Sequence, residues 1–444
     1  MSNEFTRSFV GGDGKSLKDS AYQLTRCVIV PRDSEDGGPV DIRRMIGFIR
    51  IHESLFNPSL FFEIGIRDDY NFFEEFGLSG NEIISLEFET KAYGLEKIAH
   101  EYEVHVTKIN DYARGDSQVQ AYTLIGVSSH AFNAPLMPTN MVCHGITTEF
   151  IRKLCNSLGL NIVQKPDEVF LGGETVYSID PSTTCISKTH TVFGTKNPLQ
   201  AALELLSVSF DEYNTPYFLY QTLSNVVYLA PLSWINDRKQ NPVYRTFTYT
   251  DQVESDPSSE LEYFERSSQI TKLTSNLGAS PVEQLVKGAG PRHLRELNLN
   301  TKEGSLPLSS IISSSMPGPV RSLAKLFGPL IKPYIKSRFT SPWANDDLDH
   351  PPISVLKANH ADDLSAQVVA YDSFSHQFSV MGDMLLNPGR TIKLEFPKTL
   401  DPVSNPTRDI YDNRLSQDYL IFQAVHTFQE GKHTTAVTAK TKEV

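Results

Sequence analysis

At 444 residues the chain is longer than one hydrophobic core usually organises, so roughly two to four domains are expected. Hydrophobic residues at 39% and charged residues at 21% are ordinary for a globular protein, and 25 Phe with 18 Tyr favour β structure over a helical bundle. A formal charge of -12 argues against gripping a nucleic-acid backbone, which needs an excess of Lys and Arg, but suits an acidic wall past which nucleic acid slides without sticking.

Residues 1–20 are rich in Gly, Ser and Asp and read as an arm. They contain no apolar core of signal-peptide length, so export by such a signal is not expected. The runs AYQLTRCVIV, MIGFIRIHESLF and LFFEIGIRD follow, separated by Pro31 to Pro39 and by Asn57-Pro58, and each has strand character. YNFFEEFGLSG reads as a short helix ending at Gly77 or Gly80. IISLEFETKAYG is again a strand, and EYEVHVTKIN with VQAYTLIGVSS forms a long hairpin around Asp111 to Asp116. About six antiparallel strands in this stretch is barrel or sandwich density, so residues 21–135 are expected to form a first β-barrel-like domain.

The pattern changes at Pro135 and Pro138. ITTEFIRKLCNSLGL, residues 146–160, puts Phe150, Ile151, Leu154, Cys155 and Leu158 on one helical face, with Thr147 or Thr148 as cap and Gly159 as stop. Asn197-Pro198 opens a second helix, with Asn capping and Pro in the first position. TPYFLYQTLSNVVYLAPLSWI is a hairpin turning at Ser224-Asn225. Residues 136–240 therefore form an α+β domain.

Strand patterns return in VYRTFTYT, ELEYFER and HLRELNLN, and later in QVVAYDSF, HQFSVMGDMLL, RTIKLEF and the closing hairpin DYLIFQAVHTF with HTTAVTAKT. Residues 241–303 and 343–444 form a second barrel. Between them, residues 304–342 are Ser-, Pro- and Lys/Arg-rich without an acid, and apolar residues 320–335 recur at roughly helical spacing. This segment is expected to be a helical or irregular insertion.

The two barrels echo each other. GNEIISLEF leads to EYEVHVTKI, a turn and VQAYTLIGV; NPGRTIKLEF leads to DYLIFQAVHTF, a turn and HTTAVTAKT. The second copy carries an extra loop, residues 397–416, which a surface position absorbs at little entropic cost. Two copies of one ring-forming domain in a chain let three chains build a ring of sixfold-like geometry.

The order of several motifs resembles the baseplate hub proteins of contractile-tailed bacteriophages, which are similar to the base of type VI secretion spike proteins. The carriers are FIRIHESLFNPSLFFEIGIRDDYNFFEEFGLSGNEIISLEFET, YEVHVTKINDY with QAYTLIGVSSHAF, ITTEFIRKLCNSLG, NPLQAALELLSVSF with PYFLYQTLSNVVYLAPLSWI, and DYLIFQAVHTFQEGKHTTAVTAKT. Matching order spans nearly the whole chain except residues 265–345. The resemblance implies a mainly β, α+β protein with two tube-protein-like antiparallel β-barrels. It also implies a homotrimer whose pseudo-sixfold annulus joins the tail tube, or tube-initiator proteins, to a central spike protein and other baseplate proteins. DNA would pass through without being specifically bound. It implies no catalytic residue and no cofactor, and a virion component assembled in the bacterial host cytoplasm.

The chemistry-bearing motifs have structural readings. FVGGDGKS lacks the first Gly of a phosphate-binding loop and follows no strand. In GLSGN, Asn81 replaces the last Gly of a nucleophile elbow. Asp68-Asp69 and Glu74-Glu75 read as a solvated face rather than as paired catalytic acids. NDDLDH, residues 345–350, lacks the Gly and distal Glu of a calcium loop and reads as linker. Arg114-Gly115-Asp116 falls where the hairpin turns. Cys27, Cys143, Cys155 and Cys185 have no metal spacing and are expected to be free thiols. Segment 317–339 gathers Leu323, Leu326, Phe327, Leu330 and Ile331 among Lys325, Lys332 and other basic residues. Pro329 and Pro333 break any long helix there, so a partner-docking element is expected rather than stable membrane association. The reading from another class is a virion- or cell-surface β protein binding carbohydrate or a receptor.

Overall fold

A computed structural model describes residues 22–30, 38–91, 97–114, 119–160, 162, 181–249, 267–270, 272–276, 292–298, 304–305, 308–309, 334–340, 353–356, 375–397, 411–412 and 415–441. The protein is mainly β, built on large antiparallel sheets. Strands β1 (Tyr22–Val30), β2 (Val40–Asp41), β3 (Ile46–Ser54), β4 (Phe61–Asp68), helix α1 (Phe72–Phe76), β5 (Ile83–Lys91), β6 (Lys97–Arg114) and β7 (Gln120–Ser128) come first. Their sheet order is β2-β1-β5-β6-β7-β4-β3, with every neighbouring pair antiparallel. Alternation sets the inner face: in β3, Ile49 and Ile51 are buried while Arg50 between them is exposed. Cys27 and Ile29 of β1, at one end of this path, share a core with Ile49 and Ile51 at the other. The sheet therefore rolls around its own apolar face. Each buried Ile, Leu or Phe there contributes about 1.5–3 kcal/mol.

Helix α1 corrects one expectation. Asp68, read as part of a solvated acidic face, is fully buried and accepts the backbone N–H groups of Tyr70, Phe72 and Phe73 at 3.0, 2.9 and 2.8 Å. A helix start leaves N–H groups without partners, and one carboxylate at the end of β4 takes them. Asp69, Glu74 and Glu75 are exposed as expected.

Next come α2 (Ser129–Asn133), β8 (Met141–Ile146), α3 (Thr147–Ser157), β9 (Lys188–Phe193), α4 (Pro198–Leu206), β10 (Tyr217–Gln221), β11 (Val227–Pro231) and α5 (Leu232–Asn236). Ile151 and Leu154 of α3 share a core with Ala201 and Leu205 of α4 and Leu219 of β10. Asn197 accepts the Gln200 N–H at 2.8 Å and Pro198 opens α4, as the sequence predicts. The stop of α3 also holds, with Gly159 at φ 77 and the Leu160 N–H on the Cys155 carbonyl at 3.0 Å. The cap of α3 does not. Ile146 occupies the cap position, and Thr147 is buried with its hydroxyl 2.7 Å from those of Ser187 and Ser209. Burial drew that hydroxyl into an internal network instead of the helix end.

The remaining elements are β12 (Val243–Tyr249), β13 (Gln269–Ile270), β14 (Lys272–Asn276), β15 (Arg292–Asn298), β16 (Gly304–Ser305), β17 (Leu308–Ser309), β18 (Tyr334–Thr340), α6 (Ile353–Leu356), β19 (Ser375–Met381), β20 (Thr391–Glu395), β21 (Asp418–Gln429) and β22 (Lys432–Thr441). Strands β15 to β18 form a small separate sheet. Within it β18, expected to belong to a helical or irregular insertion, is a strand parallel to β15 over Arg292↔Tyr334 to Asn298↔Thr340. Pro333 blocks a helix from running into it, and Tyr, Ile, Phe and Thr favour extended backbone. ELEYFER and QVVAYDSF lie outside the described residues.

The internal echo is topological. In chain order β1, β3, β4, β5, β6, β7 take the sheet order β3-β4-β7-β6-β5-β1, and β12, β14, β19, β20, β21, β22 take β14-β19-β22-β21-β20-β12. The two orders are the same. The register breaks also coincide: β6 bulges between Val106 and Lys108, β21 between Ile421 and Gln423. One strand differs, since β1 runs antiparallel to β5 while β12 runs parallel to β20. Gln423 to Gln429 of β21 pair with Ser54 to Phe48 of β3, which joins both units into one 14-stranded sheet.

Candidate assembly surface

Eight strands of that sheet form a continuous path, β14-β19-β22-β21-β3-β4-β7-β6. One face looks into the two cores. On the other, register places small and polar side chains in rows, such as Thr434, Thr427, Arg50, Glu63, Ile125 and Lys108. Arg50, Arg67, Lys108, Lys272 and Lys432 are exposed on this outer face, and Arg50 reaches Glu63 at 3.3 Å. The acidic wall expected from net charge is therefore not on this face: Glu63 is paired with Arg50, and the outward rows otherwise carry mainly Thr, Ser, Gln and basic residues. Side chains that face outward in a sheet are set by local alternation, which net charge does not report.

The β10–β11 hairpin covers one end of the same face. Phe218, Tyr220, Leu232 and Ile235 pack on Leu420 and Phe422 of β21 and on Leu55. Phe56 completes the contact, its ring 5.7 Å from Phe218 and 5.6 Å from Phe422. Beside this apolar seam lies a buried polar knot. Glu53 of β3 accepts the Leu223 N–H from the turn of the hairpin and lies 3.1 Å from His426 Nε2 of β21. His426 Nδ1 is 3.2 Å from His433 Nε2 of β22 and 3.3 Å from the Thr435 hydroxyl. The Tyr102 hydroxyl of β6 donates to the Leu223 carbonyl. With Glu53 ionised, His426 donates from Nε2 and accepts at Nδ1. Burial pushes the Glu53 carboxyl up, opposed by the His426 hydrogen bond, and holds His433 well below its ordinary value, helped by His426. These groups lock both sheet units and the hairpin to one another; nothing in them faces solvent.

Sequence reasoning missed this knot, because its members are far apart in the chain and each looks like an ordinary strand residue. It also missed a Ser-His-Glu cluster. His105 Nε2 is 2.8 Å from Glu103 and 3.1 Å from Ser129, beside a cavity of about 400 Å³ lined by Tyr102, Asn133, Leu160 and Asn225. In a nucleophilic relay the hydroxyl and the acid sit on opposite ring nitrogens. Here both approach Nε2, and Ser129 itself donates to Glu103 at 3.1 Å. The geometry holds α2 against β6 and supports no proton relay.

The other flagged positions are placed simply. Ser79 and Gly80 N–H groups bond the Glu82 carboxylate at 2.6 and 3.0 Å, so GLSGN is a turn. Arg114 ends β6, and Gly115 and Asp116 lie outside the described residues, as do FVGGDGKS and NDDLDH. So do Leu323, Lys325, Leu326, Phe327, Leu330, Ile331 and Lys332. All four cysteines are buried free thiols. Among the described residues, no helix is long and apolar enough to cross a membrane, and no cluster of His, Cys, Asp or Glu is grouped to hold a metal.

No family model matches the chain, and no curated protein matches it in sequence. Its structural neighbours are phage tail and spike proteins. A tail protein from Neisseria meningitidis is 10% identical over 95% of this chain and 96% of its own, with a TM-score of 0.47. The 43 kDa tail protein of prophage MuSo2 from Shewanella oneidensis is 10% identical over 94% and 97%, TM-score 0.45. An E. coli type VI secretion component, described as structurally similar to the T4 phage tail proteins gp27 and gp5, is 9% identical over 93% and 76%, TM-score 0.38. At such values a role does not transfer from one chain to another.

Proposed function

We propose that this chain is the structural hub of a phage tail baseplate, working through ring geometry and interfaces rather than catalysis. Three copies close into a pseudo-sixfold ring that joins the tail tube to the central spike and surrounds the DNA exit channel. The observation that carries this reading is the repeated strand order, which gives each subunit two equivalent wall elements in one continuous sheet. Three eight-strand arcs make about 24 strands, and at ~4.8 Å per strand the backbone ring is at least about 37 Å across. After side chains, that leaves room for a nucleic-acid duplex. The lining carries Thr, Ser and Gln together with Arg50, Arg67, Lys108, Lys272 and Lys432, which attract phosphates without reading sequence, so DNA is held by no specific contact.

In this reading residues 21–135 and residues 241–303 with 343–444 are the two wall domains, residues 136–240 brace them, and segment 304–342 docks a baseplate partner such as the spike through Leu323, Leu326, Phe327, Leu330 and Ile331 with Lys325 and Lys332. Light scattering with negative-stain imaging of purified protein tests the ring. Annular trimers are expected. A monomer at high concentration, with no annuli even beside spike or tube proteins, overturns the proposal and favours a surface-displayed binding protein.

A further inference from the structure

In one chain, the distal half of β21 is covered by a strand that belongs to the other repeat. Gln423 to Gln429 pair with β3, and Thr427 sits opposite Arg50. By the strand correspondence, β6 is the counterpart of β21 and β14 the counterpart of β3. Yet the matching pair is not made. Among the described residues β14 has β19 as its strand neighbour, and beyond Val106, whose N–H bonds the Glu82 carbonyl, β6 has β7 alone. Each chain thus carries one satisfied copy of this junction and the two unsatisfied halves of a second, at opposite ends of the eight-strand path.

We infer that these halves meet between copies of this chain: Asn110 to Arg114 of β6 in one subunit pair antiparallel with β14 of the next. The inference rests on the ring proposed above and specifies how it closes. The occupant is a second copy because the complementary edge is already in the sequence and is seen doing this in its other repeat. An unpaired edge carries a row of N–H and C=O groups that favours pairing with another strand.

Register fixes the contact. Ladder partners run Arg50↔Glu63, Glu63↔Ile125 and Ile125↔Lys108 in the first unit, and Thr274↔Gln377, Gln377↔Thr438 and Thr438↔Gln423 in the second. Thr274 therefore corresponds to Arg50 and Lys108 to Gln423. Further along, Ala113↔Ala121 matches Thr427↔Thr434, since Tyr122 and Thr435 hold equivalent places opposite the bulge at Asp111 and Tyr112 and His426, respectively. Just as Thr427 faces Arg50, Ala113 faces Thr274 of the neighbour. Both side chains are exposed in the single chain.

The test is the double variant A113C/T274C, with R50C/T427C as the control whose cysteines face each other within one chain. Mild oxidation is expected to convert A113C/T274C into covalent dimers and trimers on non-reducing gels, reversed by reductant, while A113C or T274C alone stays monomeric. In the unmodified protein, amides of residues 110–114 and 272–276 are expected to exchange at least about tenfold more slowly in the ring than in dilute monomer. Rings that form normally but give neither cross-links nor this protection, while the control oxidises, overturn the edge pairing and leave the ring standing. Absence of any ring from the unmodified protein overturns both.

Discussion

His426 Nε2 lies 3.1 Å from a carboxylate oxygen of Glu53, a residue 373 positions earlier, and both side chains are fully buried. The two residues sit on adjacent strands from different repeats, so the pair is a rivet between the halves of the chain. Removing one partner leaves the other as an uncompensated buried polar group. H426A is expected to lower stability by about 3–5 kcal/mol. E53Q, which still accepts from the Leu223 N–H, is expected to lose less, about 1–2 kcal/mol. Thermal unfolding followed by circular dichroism compares them, and equal losses would overturn this ranking by showing that the carboxylate charge itself carries the contact.

Acid should loosen the folded chain as well. Burial holds His433 well below the ordinary histidine value and His100 and His376 at about 4, against 6.5 for an unburied ring. The unfolded chain therefore takes up protons between about 6.5 and 4 that the folded chain refuses, and stability present above pH 6.5 is lost as pH falls through that window. Glu53, pushed up by burial, acts with the opposite sign, favouring the fold while protonated, but it is one group against five histidines, since burial lowers His52 and His130 too. The melting temperature is expected to fall steadily from pH 7 to pH 4.5, and less steeply in H376N. A flat profile would refute the account.

What the sequence made legible follows the range of the forces involved. Asn197-Pro198, the Gly159 stop and the Ser224-Asn225 turn were readable because capping and turn chemistry act within four residues. The repeat was readable as a sequence of strand types around two LEF triplets. Its register was not, since the shared bulges after Val106 and Ile421 appear only when neighbouring strands are paired. Thr147 misled because its hydroxyl answers Ser187 and Ser209, brought to it by the fold; Asp68 answers N–H groups two to five residues ahead, a local cap that the reading of a solvated acidic face passed over. The Glu53–His426 contact has no local signal at all.

Two caps of different reach allow a quantitative comparison. Asn197 takes one N–H at the start of α4, whereas Asp68 takes three from within a buried site. N197A is expected to cost about 1 kcal/mol. D68A loses the cap and strands buried donors, so about 2–3 kcal/mol is expected. Chemical denaturation of both variants checks the order; a milder D68A would mean that water replaces the carboxylate freely.

Gly389 and Gly77 separate backbone strain from crowding. Both have positive φ, 83° and 68°, which costs a residue with a Cβ about 1 kcal/mol. At Gly77 nothing lies within 4 Å of the added carbon, so G77A is expected to lose that amount alone. At Gly389 the added carbon would sit 2.5 Å from the Tyr220 hydroxyl oxygen. Tyr220 belongs to the seam that holds the β10–β11 hairpin on β21, and the Gly389 carbonyl also accepts from Asn241 Nδ2 at 2.7 Å. The ring must shift, so G389A is expected to lose about 2–3 kcal/mol. It should also speed proteolysis of the hairpin, a change that G77A should not produce. Equal melting temperatures for the two variants would show that Tyr220 gives way freely and that the seam is softer than its burial implies.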